Sequence, residues 1–406
     1  MRILYIHQLF ATRESTHPTR SYEFARRLAE QGHEVIMLTG SSRLSGPEFR
    51  RLVARIEVDG IDVVSIRNAY SNHMSAKRRI ISFALFAVAA SVVGVFLPRP
   101  DVVFATSTPL SVAVPGLWLS WLKRRPLVFE VRDVWPEAAI QMGWLDRDGL
   151  IARASRWLEK VTYDHSAAVV ALSPGMEELV LEAGADPERV TVIPNCSDLD
   201  LFHPGDKDEE LVSRLGLEGR FVVGYAGAIG PSNAVEVVSE AAAALKDLGR
   251  EDVVFVLAGD GRSLPGIRAT VEEKGLSDLV HIVGSLPKHE VPRFLRTADA
   301  LLTLFADVPI LATNSPNKFF DGLASGRPMI VNSPGWTKDI VEREECGLFV
   351  PPGDARALAE AVTRLADDPE RARRMGQNAR RVAEERFDRD RMAMRLEEVL
   401  SRAVRS

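Results

Sequence analysis

A chain of 406 residues is too long for one ordinary hydrophobic core, so two domains are expected. Its 46% hydrophobic and 26% charged content is that of a globular protein, and a formal net charge of -5 argues against a nucleic-acid binder. The two cysteines, Cys196 and Cys346, form neither a disulfide framework nor a zinc spacing, which fits a reducing compartment.

The first stretch, "RILYIHQ", reads as a buried strand. It runs into polar sequence with no small-residue cleavage site, so a signal peptide is not expected and the chain is read as cytoplasmic. Residues 18–31 have helical spacing, and "EVIMLTG" is the next strand. "VARIEV" and "IDVVSIR" follow, joined by Asp59-Gly60, a favourable hairpin pair. From Ile80 to Leu97 eighteen residues carry no charge, after Lys77-Arg78-Arg79. A second apolar stretch, "PLSVAVPGLWLSWL", ends in Lys123-Arg124-Arg125. Over residues 68–128 there are seven Lys/Arg against one Asp, a local +6. These are expected to be helices of an α/β domain, with segments 77–99 and 110–125 resting part of their surface on an anionic membrane. A transmembrane span is the weaker reading, because the strand-like "DVVFATS" follows at once.

"LVFEVRD", "AAVVALS" and "VTVIP" complete the strands of the first half. The polar, Pro- and Gly-punctuated "IPNCSDLDLFHPGDKDEE" reads as a hinge. Beyond it the alternation restarts with "FVVGYAG", a helix over 232–248, "DVVFVLAGD", "VHIVGS", "ALLTLF", "PMIVN" and "GLFVPP". Three helical stretches close the chain. Strands alternating with helices in both halves predict two doubly wound, Rossmann-like domains. Ligands of such sheets bind outside the carboxyl ends of the strands.

The stretch "SPNKFFDGLASGRP" fits that position. Ser315 is expected as the N-cap, Pro316 as the first helical residue, and Gly326 with Pro328 as the stop. The helix N-terminus is an anion site, and Lys318 in the first turn opposes the helix dipole, so a bound phosphate explains it better than helix stability. Asp321 shares a face with Asn317 and Lys318, at a rise of roughly 9 Å from the helix start, which suits a ribose beyond a diphosphate. The plain alternative is a well-capped surface helix with an incidental Lys–Asp pair.

"SPNKFFDGLASGRPMIV" resembles the donor-nucleotide motif of family-four retaining glycosyltransferases, and more narrowly of the L-fucosamine transferase-like enzymes of O-antigen and capsule assembly. "LYIHQLF…TRSYEFARRLAEQGHEV", "FEVRDVWPEAAIQMG", "VALSPGMEELV" with "VTVIPNCSDLDLFHP", and "FVVGYAGAIG" with "VLAGDG" agree with it, in order and spacing, over nearly the whole chain. The resemblance implies the α/β GT-B fold, with two Rossmann-like domains facing a central cleft. Residues 1–203 would be the acceptor domain and 204–386 the nucleotide-sugar domain, with helix 387–406 returning to the first.

It also implies roles for individual residues. Asp321 stands where the family binds ribose, usually with Glu. Thr313 stands where many members place a second Glu on the donor sugar. Backbone amides near Ser315 to Lys318, on either side of Pro316, would hold the distal phosphate. Gly227 and Gly230 would let the backbone approach the ligand, but Ala228, Ile229 and Pro231 replace the usual Arg and Lys of that loop. Lys318 and Arg262, beside Gly261, are the remaining phosphate cations. Val283 to Leu286 would meet the base. In the first domain Glu14-Ser15-Thr16-His17-Pro18 replaces a glycine-rich loop, leaving His17 and Arg20 as sugar or acceptor contacts. His7 is read as structural. Arg132 and Asp133 replace a familiar His, with Asp133 placed to orient or deprotonate the acceptor hydroxyl, or else simply to cap the next helix. Trp135 and Pro136 would shape the acceptor wall, and Glu137, at the same helix start, is counted with the acceptor contacts.

The expected reaction is transfer of a hexosyl or N-acetylaminosugar group from a nucleotide diphosphate-sugar, UDP-sugar foremost, to a lipid-linked or glycan acceptor, with retention. No cofactor and no obligatory metal are expected. A nucleotide-sugar epimerase of the same fold is the alternative. A periplasmic binding protein would need a secretion signal, which is not expected here, and a nicotinamide oxidoreductase a dinucleotide fingerprint, which neither half shows.

Overall fold

The computed structural model describes residues 1–15, 17–71 and 74–405; Thr16 of the expected sugar loop lies outside the described residues. The chain divides into two compact units, Met1–Pro194 with Asp390–Ser406, and Asn195–Arg389. The sequence expectation set the divisions at 203/204 and 386/387. The helix Arg389–Arg405 thus runs, from Asp390 onward, within the first unit, where Met392, Ala393, Leu396 and Leu400 are buried.

The first unit carries β1 (Arg2–His7), β2 (Glu34–Gly40), β3 (Val53–Val58), β4 (Ile61–Ile66), β5 (Val102–Thr106), β6 (Leu127–Val131), β7 (Ala168–Ala171) and β8 (Val190–Val192). They form one eight-stranded sheet in the order β3-β4-β2-β1-β5-β6-β7-β8. Only the β3–β4 hairpin is antiparallel. Asp59 and Gly60 both have positive φ, 49° and 77°, as a tight two-residue hairpin turn requires. Among the helices are α1 (Arg20–Glu30), α2 (Ala76–Val95) and α3 (Ala113–Lys123).

The second unit carries β9 (Phe221–Ala226), β10 (Val253–Ala258), β11 (Val280–Gly284), β12 (Ala300–Thr303), β13 (Met329–Val331) and β14 (Gly347–Phe349). The sheet is wholly parallel, in the order β11-β10-β9-β12-β13-β14. Its strands are nearly continuous runs of β-branched and apolar residues because helices cover both faces. Counted from β9, this is the dinucleotide-fold order 3-2-1-4-5-6, which reverses between β9 and β12. The helix expected over 232–248 runs Val237–Asp247. Ala234 sits at φ 45°, outside right-handed helical space, so helical bonding starts only beyond it.

Candidate functional site

In the second unit, the crevice at the reversal point lies between the loop after β9 and the loop leading from β12 to the helix Asn317–Ala324. Two adjacent phenylalanines fix that helix. Phe319 and Phe320 are fully buried, and Phe320 packs on Trp336 and Phe387 with ring centroids 5.8 and 4.8 Å away. Gly326, at φ 66°, terminates it, with its amide donating to the Leu323 carbonyl.

The start differs from the sequence expectation. Pro316 is extended, with φ -77° and ψ 123°, so the helix begins at Asn317 and no side chain caps it. Ser315 is not the N-cap. Its Oγ accepts from the Asn195 amide at 3.0 Å, and its carbonyl accepts from the Asn195 side chain.

Lys318 projects from the first turn. Its Nζ donates to Tyr225 Oη at 2.6 Å and to Asn233 Oδ1 at 2.9 Å, and lies 4.3 Å from the Tyr225 ring centroid. The Tyr225 hydroxyl in turn donates to the Ala228 carbonyl at 2.6 Å. Among the described residues no carboxylate pairs with Lys318. Although the residue is partly exposed, desolvation of the amine brings its pKa down to about 7. An unpaired ammonium beside the uncapped amides of a helix is the chemistry of an anion site.

The glycines take different parts. A Cβ on Gly227 would lie 3.0 Å from Lys318 Cε, so this glycine makes room for the lysine. A Cβ on Gly261 would fall 2.3 Å from the Ile229 carbonyl oxygen, so Gly261 serves the packing of two loops and not ligand approach. Gly230 faces open space. Arg262 is exposed, one residue beyond Gly261, with no carboxylate partner among the described residues. Val283 and Leu286 are half-buried against the core beneath the edge strand β11.

Asp321 does not present a free carboxylate. It is buried, with Oδ1 accepting from Ser197 Oγ at 2.9 Å and Oδ2 paired with Lys288 Nζ at 2.8 Å. Lys288 also lies 4.6 Å from the Phe202 ring centroid. Asp321 and Lys318 therefore share a helix face without pairing. Thr313 spends its hydroxyl on the Ile310 carbonyl, closing a short 3-10 turn.

In the first unit, the sheet order reverses between β1 and β5, and candidate side chains gather at those strand ends. Asp133 follows β6 and accepts a hydrogen bond from Thr108 Oγ1. Burial raises its pKa, outweighing the Thr108 bond and the nearby Arg132 charge, which lower it. Arg132 reaches His7 Nε2 at 3.3 Å. Because a guanidinium only donates, Nε2 accepts and Nδ1–H donates to Ser21 Oγ at 2.7 Å. Burial, then the charges of Arg132 and Arg43, hold the His7 pKa well below its usual value, so it is neutral. His17 is half-exposed and its pKa is lowered by burial and by Arg43. Trp135 is partly exposed at the same end.

Two expected contacts are internal instead. Arg20 is 2% exposed and donates to Glu130 Oε1 at 2.8 Å and to the Pro194 and Ile193 carbonyls. Burial alone would raise the Glu130 pKa, but Arg20, Arg132 and Thr106 together lower it. Glu137 pairs with Arg156 at 2.9 Å. Sequence reasoning missed Tyr225, Asn233, Lys288, Ser197 and Glu130. A tyrosine and a glutamate inside β-strand runs read as core, and a loop Asn or Lys carries no signal of its own.

Comparison with known proteins decides the family. The description "Glycosyl transferase 4-like domain" matches residues 17–196 and "Glycosyl transferases group 1" matches residues 206–382. The chain belongs to the glycosyltransferase family that pairs these two domains. An alpha-D-kanosaminyltransferase of Streptomyces kanamyceticus is 30% identical over 231 residues, 55% of this chain and 58% of that protein. The chain therefore spans little more than half the length of that relative. A D-inositol 3-phosphate glycosyltransferase of Corynebacterium glutamicum is 27% identical over 378 residues, covering 87% and 84% of the two chains. Among solved structures, Anabaena Alr3699/HepE in complex with UDP has a TM-score of 0.72 at 21% identity, over 99% of this chain and 100% of that one. That likeness establishes the GT-B architecture of two Rossmann-like units.

Proposed function

We propose that this glycosyltransferase moves a hexosyl or N-acetylaminosugar group from a UDP-sugar to a hydroxyl of a lipid-linked glycan acceptor, with retention and without an obligatory metal. The observation that carries the donor side is Lys318, an ammonium with no carboxylate partner among the described residues, at the reversal point of a Rossmann-like sheet and beside an uncapped helix. The UDP bound by Alr3699/HepE, which has the same fold, favours the base. Lys318 and the amides of Asn317 and Lys318 stabilise charge as it develops on the leaving diphosphate. Arg262, at the neighbouring strand end, supplements them. Gly230, Val283 and Leu286 border the nucleotide. On the acceptor side, Asp133, with its raised pKa, orients the incoming hydroxyl, Arg132 holds charge beside it, and His17 and Trp135 border it.

The acceptor is assigned as lipid-linked because α2 and α3 expose a broad apolar face. Ile81, Leu85, Val88 and Val92 on α2, and Trp118 and Trp121 on α3, are 42–70% exposed. Lys77, Arg78 and Arg79 precede the α2 stripe, and Lys123, Arg124 and Arg125 close α3. The Lys77–Val95 stretch is long and apolar enough to cross a membrane by length and composition. Yet Phe86 and Ala90 on its other side are fully buried in the first unit. This supports a helix lying on the cytoplasmic leaflet, with the enzyme building a surface polysaccharide of the O-antigen or capsule kind.

The test is thermal unfolding with UDP, GDP and ADP, followed by sugar transfer to a lipid-linked acceptor with and without EDTA. Ligand at about a hundred times its dissociation constant adds roughly 2.7 kcal/mol, several degrees in Tm. A shift with none of the three nucleotides refutes the donor assignment. UDP-sugar consumption without any acceptor, giving an epimer, favours the alternative reaction.

A further inference from the structure

Two adjoining cavities in the first unit, of about 480 and 600 Å³, share Ser41, Phe49 and Arg50 as walls. The larger is completed by Arg67, Asn68 and Ala69. Each is the size of a small-molecule site. Arg50 and Arg67 are exposed, and no carboxylate pairs with either among the described residues. Arg43, two residues beyond Ser41, holds a half-buried guanidinium whose NH1 donates to the Leu9 carbonyl at 3.2 Å. It too has no carboxylate partner among the described residues. The guanidinium lies 6.0 Å from the Tyr70 ring centroid.

The cavity wall is tied to α2. Asn68 Nδ2 donates to the Ser82 carbonyl at 3.0 Å, and Ser82 Oγ donates to the Ala69 carbonyl at 2.7 Å. Tyr70 stacks on Phe83, 5.6 Å between centroids at 23°. The next residues outward on α2 are Ile81 and Leu85, 57% and 62% exposed. Leu52, two residues beyond Arg50 in sequence, is 76% exposed. A cavity flanked by arginines, with Phe49 and Ala69 in its walls, thus opens beside an apolar stripe.

We propose that this cavity binds the terminal phosphate or diphosphate headgroup of a long-chain lipid, with its first sugar, while the tail runs along the α2 stripe into the bilayer. The inference rests on the lipid-linked acceptor reading above and adds its site. Arg50 and Arg67 supply planar forks that match phosphate oxygens, and the Ser41 hydroxyl supplies a neutral partner. A bulk phospholipid offers a phosphodiester with one negative charge, whereas a terminal phosphate or diphosphate brings more charge and more oxygens to the two guanidinium forks.

The test uses the full chain and two vesicle sets of equal charge. One is phosphatidylcholine carrying a few mole per cent of decaprenyl diphosphate. The other is phosphatidylcholine with enough phosphatidylglycerol to match. Wild type is expected to bind the first about tenfold more tightly than the second, as two charge-assisted phosphate forks allow. In Arg50→Ala/Arg67→Ala that preference disappears, while the Tm and the UDP-induced shift stay as in wild type. Arg50→Lys/Arg67→Lys, which keeps charge but not the forks, is expected to fall between them. Equal binding to both vesicle sets by wild type, or a preference that survives the double alanine variant, overturns the proposal. Loss of the UDP shift in wild type would instead sink the donor reading, so the two failures are separable.

Discussion

Replacing Lys318 with Met tests the donor site through an unusual pair of consequences. The side chain keeps its length and apolar stem but loses the charge. Without ligand, the amine has a pKa of about 7, set by desolvation. The unfolded chain holds this proton up to about pH 10.4. Between those values the unfolded state binds more protons, so stability rises with pH, and the full cost of burying the charge is present below pH 7. Lys318→Met, neutral throughout, should therefore be more stable than wild type at pH 6. Discounted for partial exposure, the gain is about 1 kcal/mol, or roughly 2–4 °C for a unit of this size, and it should shrink above pH 7. Binding moves the other way. A diphosphate favours the charged amine, so above pH 7 each unit costs about 1.4 kcal/mol of protonation. UDP affinity of wild type should fall about fifteenfold between pH 7 and about pH 8.5, with nearly one proton taken up on binding at the higher pH. UDP gains charge over the lower part of that range, so the ligand's own titration opposes the trend and cannot produce it. Isothermal titration calorimetry in buffers of different ionisation enthalpy reads both affinity and proton uptake. A flat profile in wild type, or the same slope in Lys318→Met, refutes Lys318 as the phosphate cation.

Three further outcomes follow from the contacts. Asp321→Ala strands Lys288 and frees Ser197, so it should lower stability by about 3 kcal/mol, visible as roughly 6–12 °C in Tm before any ligand is added; an unchanged Tm with a lost UDP shift would return Asp321 to the ribose role. Arg20→Met leaves the buried Glu130 without its ion-pair partner, with only the Thr106 hydrogen bond and the more distant Arg132 charge to hold it, costing about 3–5 kcal/mol in denaturant unfolding, and Arg20→Met/Glu130→Gln should recover part of that loss. Leu85→Glu/Val88→Glu places two charges on the exposed face of α2; flotation with anionic vesicles should fall about tenfold or more while Tm stays within a degree or two.

The fold was legible because both sheets announce themselves locally. Runs such as "DVVFVLA" and "RILYIH" are too short and too β-branched for helices, and turn residues bound them. Asp59-Gly60 was legible for the same reason: the turn demands positive φ at both positions, and few residue pairs accept it. Helix starts were less so. Ser315 and Pro316 have the right chemistry for a cap, but Asn195, 120 residues earlier, claims the serine, and that competition is invisible to local pattern. The charged residues show the same limit. Arg20, Glu137 and Asp321 carry the side chains a sugar or ribose contact needs, yet Glu130, Arg156 and Lys288 engage each of them inside its own unit. Lys318 differs, since its neighbours Tyr225 and Asn233 are neutral and leave its charge uncompensated. What separates a binding cation from a structural one is therefore the absence of a nearby carboxylate in space, a property set by the packing of strands far apart in the chain. A motif can nominate such a lysine; only the fold reveals that no carboxylate among the described residues neutralises it.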